Sequence, residues 1–200
     1  MKVTKQNKPS YECMSIAETA CILADDASMA AQKDWVQYHC NTGFIFLAFA
    51  IEAMFIFYRR QVEPGYDKNN DRMSRKDFHK KTLSMCGFDK FLGSADYQTC
   101  AKCLKIRDGI AHGDTYESSF EHPSKHPSGT TLQTIEILAV QSEQFRDISP
   151  QILRKGIEAA KRIDEFICDN ARHPGIEEAD REYAPIFLQA FGVTGTSMWE

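Results

Sequence analysis

The chain has 200 residues, 42% of them hydrophobic and 26% charged, with a formal net charge of −4. That length allows one sizeable core, and the composition is that of a folded domain rather than a disordered chain. The acidic balance excludes a protein that coats nucleic acid by bulk charge, so any contact with RNA must be local.

Residues 1–10 (MKVTKQNKPS) are polar and predict a disordered lead rather than a secretory leader. From Tyr11 to about Lys33 the chain is rich in alanine, and Ile16, Ala20, Leu23, Ala27 and Ala31 recur at helical spacing, which predicts a helix packed closely on a neighbour. A second helix is expected from Asp34 to Val62, with an interruption at Asn41-Thr42-Gly43, because glycine is costly inside a helix and Asn and Thr favour its start. Its stretch Phe44–Tyr58, FIFLAFAIEAMFIFY, is 15 residues long and contains Glu52. A membrane span needs roughly 20 apolar residues, so the stretch reads as the central helix of a bundle, with an interfacial element as the alternative.

Gln61–Asp71 is a turn-rich loop. Ser74 is placed to cap a helix from Arg75 to Cys86, with Asp77 in its first turn and Gly87 ending it. Ser94 is placed to cap the next, Ala95 to about His112, ended by Gly113. Asp114–Thr130 is polar and carries two prolines, which predicts a long surface loop. Thr131–Val140 stays open between a short strand and a helical turn. Ser149-Pro150 marks a helix start, followed by an amphipathic stripe of Ile152, Leu153, Ile157, Ala160, Ile163, Phe166 and Ile167 to about Cys168. Pro174-Gly175 breaks the chain, a short helix is expected over Ile176–Phe191, and the last nine residues look loose. The expected fold is therefore all-α, a bundle of four to five core helices over 11–170, with a C-terminal extension over 171–200.

The seven cysteines, at 13, 21, 40, 86, 100, 103 and 168, are odd in number and sit mostly in helix-like apolar patterns. With no secretory leader expected, they point to a reducing, cytoplasmic setting. Cys100-Ala101-Lys102-Cys103 has no second pair to complete a zinc ribbon, and His122 and His126 lie among prolines rather than on a helix face. No metal or cofactor is expected. The chain has no Walker loop, dinucleotide glycine fingerprint, GxSxG or HExxH, which excludes the reaction classes those motifs serve.

The chemistry-bearing segment is Leu104-Lys105-Ile106-Arg107-Asp108-Gly109-Ile110-Ala111-His112-Gly113. On a helix Asp108 and His112 are four apart and share a face, so the carboxylate could orient the imidazole. Arg107 lies about 140° from His112 around a straight helix. The two approach each other only if the last turn distorts at Gly113, or if a second copy of the chain completes the site. Spacing alone also permits a plain structural reading, in which a histidine in the last turn simply complements the helix dipole.

The segment resembles the Arg-x4-His motif of HEPN domains, the higher eukaryotes and prokaryotes nucleotide-binding family. The resemblance covers 104–113 as a motif and 11–170 as a helical pattern. It implies a helical bundle that dimerises with its motifs facing each other, and a metal-independent endoribonuclease of a toxin–antitoxin, phage-defence or CRISPR setting. The implied partners are RNA, a second copy and an antitoxin protein, with no membrane. Carried over, Arg107 would bind the scissile phosphate, His112 would move a proton as the 2′-hydroxyl attacks, and Asp108 would fill the polar position after the arginine. RNA brings its own nucleophile, so a fixed cation and a proton shuttle with a pKa near about 6.5 meet the chemical need.

Two departures stand out. Asp108 stands where asparagine is frequent, and a carboxylate beside a phosphate is unhelpful unless Arg107 or His112 pairs with it. The tyrosine two residues after the histidine in some family toxins is Asp114 here, with Tyr116 the nearest. A non-catalytic HEPN-like dimer that binds protein, RNA or nucleotide is the alternative, and a plain helical interaction protein the third reading.

Glu52, a lone carboxylate in an apolar helix, needs a partner: either a structural arginine, or Arg107 or His112, which it would then support. Arg72, Arg75, Lys76, Lys80 and Lys81, with Lys102 and Lys105, read either as a local track for an RNA backbone or as a solvated helix face.

Overall fold

In this computed structural model, the described residues are 2–5, 8–63, 65–112, 125–132, 148–171, 188–192 and 196–199. Among them the fold is an all-α bundle with one short ribbon: β1 (Lys2–Lys5), α1 (Pro9–Met29), α2 (Lys33–Val62), α3 (Arg75–Met85), α4 (Ala95–His112), α5 (Pro150–Asn170) and β2 (Thr196–Trp199).

Helix α2 is the axis of the bundle and touches each of the other four helices. Phe44, Leu47, Ala48, Ala50, Ile51, Met54, Phe55 and Tyr58 along it are fully buried. It is long and apolar enough to cross a membrane, yet these residues form the centre of the bundle's core, with α1, α4 and α5 packed around them. The alanine face of α1 (Ala17, Ala20, Ala24, Ala27) lets it lie close along α2.

The expected break at Asn41-Thr42-Gly43 does not occur, and α2 runs through it. Its glycine serves packing instead. A Cβ on Gly43 would overlap the Leu153 side chain of α5, so the missing side chain is what brings α5 onto α2. Gly156 does the same from the other helix, where a Cβ would lie 2.5 Å from Cys103 Sγ and 2.8 Å from Leu47 Cδ2.

Helix α1 ends at Met29, four residues before the expected Lys33, because Ala31 turns the chain at φ 57°. That left-handed conformation more often falls to glycine. The three serine caps behave as their local chemistry dictates, with Ser94 Oγ accepting from Tyr97 N at 3.2 Å. Ser74 Oγ accepts from Asp77 N at 3.2 Å, and Ser149 Oγ accepts from Ile152 N at 3.3 Å with Pro150 at the first helical position.

The ends of the chain depart from expectation. In place of a disordered lead and a loose tail, Lys2–Lys5 pairs antiparallel with Thr196–Trp199, Lys2 opposite Trp199 and Lys5 opposite Thr196. The pairing satisfies backbone groups that neither segment could satisfy alone. Residues 188–192 form a turn, not the end of a helix, docked on the bundle. Asp164 of α5 accepts from Ala190 N at 2.7 Å and Phe191 N at 3.0 Å, and Ser10 Oγ donates to Ala190 O at 2.6 Å. The rest of the helix expected over 176–191 lies outside the described residues, as do most of the polar loop after His112 and 133–140 of the open segment.

Candidate functional site

Arg107 sits in the last turn and a half of α4 and projects toward α2. Its Nη2 donates to Glu52 Oε1, its guanidinium carbon lies 5.5 Å from the centre of the Phe49 ring, and the side chain is 15% exposed. An aromatic face on one side and a carboxylate at the edge fix the orientation of the planar cation. Its Nε is buried without a partner among the described residues.

A second arginine closes the cluster from α3. Arg75 Nη1 and Nη2 donate to Asp108 Oδ2 and Oδ1 at 2.7 and 2.9 Å, a fork-on-fork pair, while its Nε lies 3.0 Å from Glu52 Oε1. Arg107 Nη1 is 3.5 Å from Asp108 Oδ1. Two guanidiniums and two carboxylates thus alternate in a ring with no net formal charge. Asp108, chiefly through its hydrogen bonds, raises the pKa of Arg75 above the ordinary arginine range.

Three helices supply this ring: Glu52 is on α2, Arg75 at the first position of α3, and Arg107 and Asp108 on α4. Arg107, Asp108 and Glu52 are brought together. Glu52 pairs with an arginine from another helix, and that arginine is Arg107. His112 is the last residue of α4, and its side chain lies outside the described residues.

The basic residues after Gln61 do not form one track. Arg75 is committed to the ring. Arg72 and Lys81 line a cavity of about 520 Å³ around Arg59. Lys76 lines a groove between α3 and α4 with Tyr97, Gln98 and Leu104. Lys80, Lys102 and Lys105 are exposed. Cys100 and Cys103 face the core, where burial pushes both thiols up, Cys103 to about 12. Among the described residues no group of three or more His, Cys, Asp or Glu side chains is arranged to hold a metal ion.

His79, which no sequence motif marks, is buried. Its ring is 1% exposed, stacks on Phe55 at 3.9 Å and shares a 3.0 Å hydrogen bond between Nδ1 and the Tyr97 hydroxyl. Burial, with the charge of Arg75 adding to it, lowers its pKa from 6.5 to about 3. The spacing of His79, Thr82, Leu83 and Cys86, three or four apart on one helix face, was the signal that it points inward.

Comparison with protein-family models, curated proteins and solved structures finds no match to this chain.

Proposed function

We propose that the chain is a HEPN-like, metal-independent endoribonuclease whose site is built on Arg107 and His112. The observation that carries this reading is the fixation of Arg107, on the helix that ends at His112, by Glu52 and Phe49 of the central helix.

In the proposed reaction Arg107 holds a non-bridging oxygen of the scissile phosphate, with Glu52 and Phe49 fixing its plane. The ribose 2′-oxygen attacks phosphorus, the bond to the 5′-oxygen breaks, and the 2′-hydroxyl proton is removed while the leaving oxygen gains one. The products are a 2′,3′-cyclic phosphate and a 5′-hydroxyl. His112 serves this proton transfer. A homodimer would bring two such motifs to one cleft. The large apolar residues left exposed on α1 and α2, among them Trp35 (54%), Tyr38 (61%) and Phe49 (42%), support a second copy as partner. A toxin–antitoxin or phage-defence role follows from the resemblance alone.

The test is cleavage of total RNA and a tRNA pool in EDTA by wild type and His112→Ala at equal folded concentration. Cleavage by wild type alone is expected, with helicity unchanged in the variant. Equal cleavage by both would remove His112 from the mechanism. The alternative, a non-catalytic HEPN-like module, is favoured by one feature: Glu52 and Asp108 leave the two arginines with no net charge. It predicts RNA binding that survives His112→Ala and no cleavage by either protein.

A further inference from the structure

Beyond the motif, the loop joining α2 to α3 borders an open cavity of about 520 Å³ lined by Arg59, Glu63, Tyr66, Asp71, Arg72 and Lys81, among others. Arg59 is 1% exposed. Its guanidinium carbon lies 5.4 Å from the centre of the Tyr66 ring and 5.9 Å from that of Phe78. Nε donates to Glu63, but Nη1 is buried with no hydrogen-bond partner among the described residues. A buried charged donor without an acceptor is costly, and in folded proteins such a group ordinarily meets a water or a ligand.

Formal charge around the cavity balances, with three cations and three carboxylates, but the two signs are not equally available. Glu63 is held by Arg59. Asp67 accepts from Asn69 N at 2.9 Å and Asn70 Nδ2 at 2.8 Å. Asp71 accepts from Met73 N at 2.8 Å and from the Tyr66 hydroxyl at 3.1 Å, and the bond from Met73 N is the main reason its pKa falls below the usual carboxylate range. Arg72 and Lys81 have no ion pair or hydrogen bond among the described residues. Each carboxylate is thus engaged within the loop, whereas Arg72 and Lys81 are exposed and Arg59 Nη1 is buried without an acceptor among the described residues.

We propose that this cavity is a binding site for a phosphate group. Three cationic donors on different turns call for an anion with at least three acceptor oxygens in a tetrahedral spread, which a phosphate offers and a carboxylate does not. The volume is that of a small-ligand pocket, which leaves room for the group that carries the phosphate. Two sources share this chemistry, a free phosphomonoester and an RNA backbone phosphate. Position connects the second to the motif. Arg59 follows Glu52 by two turns of α2, about 10 Å along the axis, and Met73 lines both this cavity and the smaller one that holds Glu52 and Arg75.

The site is independent of whether the chain cleaves RNA, so the test reads binding. The 200-residue chain is titrated calorimetrically at about 0.15 M salt, where distant surface charge is largely screened. The probes are inorganic phosphate, AMP and a short ribo-oligonucleotide without terminal phosphates. The same titrations follow on Arg72→Gln and Lys81→Gln, both exposed positions whose loss leaves the core intact. The expected result is binding of at least one probe, weakened about tenfold or more by either substitution. Binding of phosphate and AMP alone would assign a free phosphomonoester; binding of the oligonucleotide alone would assign the RNA backbone. No binding of any probe at millimolar concentration overturns the proposal. So does binding unchanged in both variants, which would put the anion elsewhere.

Discussion

Replacing Arg75 by alanine should weaken RNA cleavage and binding, and replacing Asp108 by asparagine in the same chain should restore them. Arg75 gives all three of its donor nitrogens to Glu52 and Asp108, at 2.7 to 3.0 Å. It is therefore spent on internal counter-ions and not on substrate. Removing it takes the ring from zero to one net negative charge, beside the arginine proposed to hold the phosphate. For unit charges about 7 Å apart, effective dielectric constants between about 20 and 80 give roughly 0.6 to 2.4 kcal/mol of repulsion. The Arg75 side chain is 36% exposed, so solvent screening favours the low end, about a three- to tenfold rise in KM or in the dissociation constant for RNA. Asp108→Asn alone leaves a net positive ring and should bind at least as tightly as wild type. The double variant, with Arg107 and Glu52 alone, is neutral again and should match wild type. The assay is steady-state cleavage, with fluorescence anisotropy of a labelled RNA as the readout independent of chemistry. If the double variant is as impaired as Arg75→Ala, then Arg75 touches the RNA directly and the counter-ion argument fails.

His79 is neutral in the fold with a pKa of about 3 against 6.5, so the unfolded chain binds the extra proton between those values. Its contribution to stability is fully present above about pH 6.5 and is lost as pH falls toward 3, up to about 5 kcal/mol in all. In His79→Phe, which keeps the stack on Phe55, denaturant melts between pH 7 and 4 should show a shallower decline than wild type; an equal slope would mean that the ring is protonated in place. Asp164→Ala removes the carboxylate that accepts from the Tyr58 hydroxyl and from the Ala190 and Phe191 amides. It should cost about 3 kcal/mol and release the C-terminal turn, read as faster amide exchange at Ala190 and Phe191 than in Asp164→Asn.

What could be read in the sequence was what depends on near neighbours. The serine caps at Ser74, Ser94 and Ser149 act within three residues, and all three are where the sequence puts them. The helical stripes give the bundle, because each stripe needs only its own period. Gly43 was misread because its role depends on Leu153, over a hundred positions away, and local propensity counts only the cost of a glycine within a helix. The pairing of Lys2–Lys5 with Thr196–Trp199 joins opposite ends of the chain through backbone groups that carry no side-chain signature. At the site, that Glu52 pairs with a cation was legible, because a carboxylate in an apolar helix must find one, but the sequence left its partner open. Arg75 was not, because in RMSRKDFHKK one basic residue looks like the next until α3 is docked on α2.

Docking α3 has a consequence for how an acidic chain could bind RNA. The basic run looks like one electrostatic track, but the fold divides it: Arg75 turns inward, Arg72 and Lys81 face the cavity at Arg59, and Lys76 faces the groove on the other side. A single strand crossing from the cavity past Met73 to Arg107 would meet about three open cations rather than seven. Counterion release scales with phosphates neutralised, at about 0.7 per phosphate for single strands. The slope of log K against log salt should then be about −2, where a continuous track of all seven basic residues would give about −5. Anisotropy titrations across a tenfold range of salt separate these values. A slope near −5 would mean that RNA gathers the exposed lysines of α3 and α4 into one surface and that recognition is mainly electrostatic. A slope near −2 would mean that few phosphates are held and that affinity has to come from sites shaped for them.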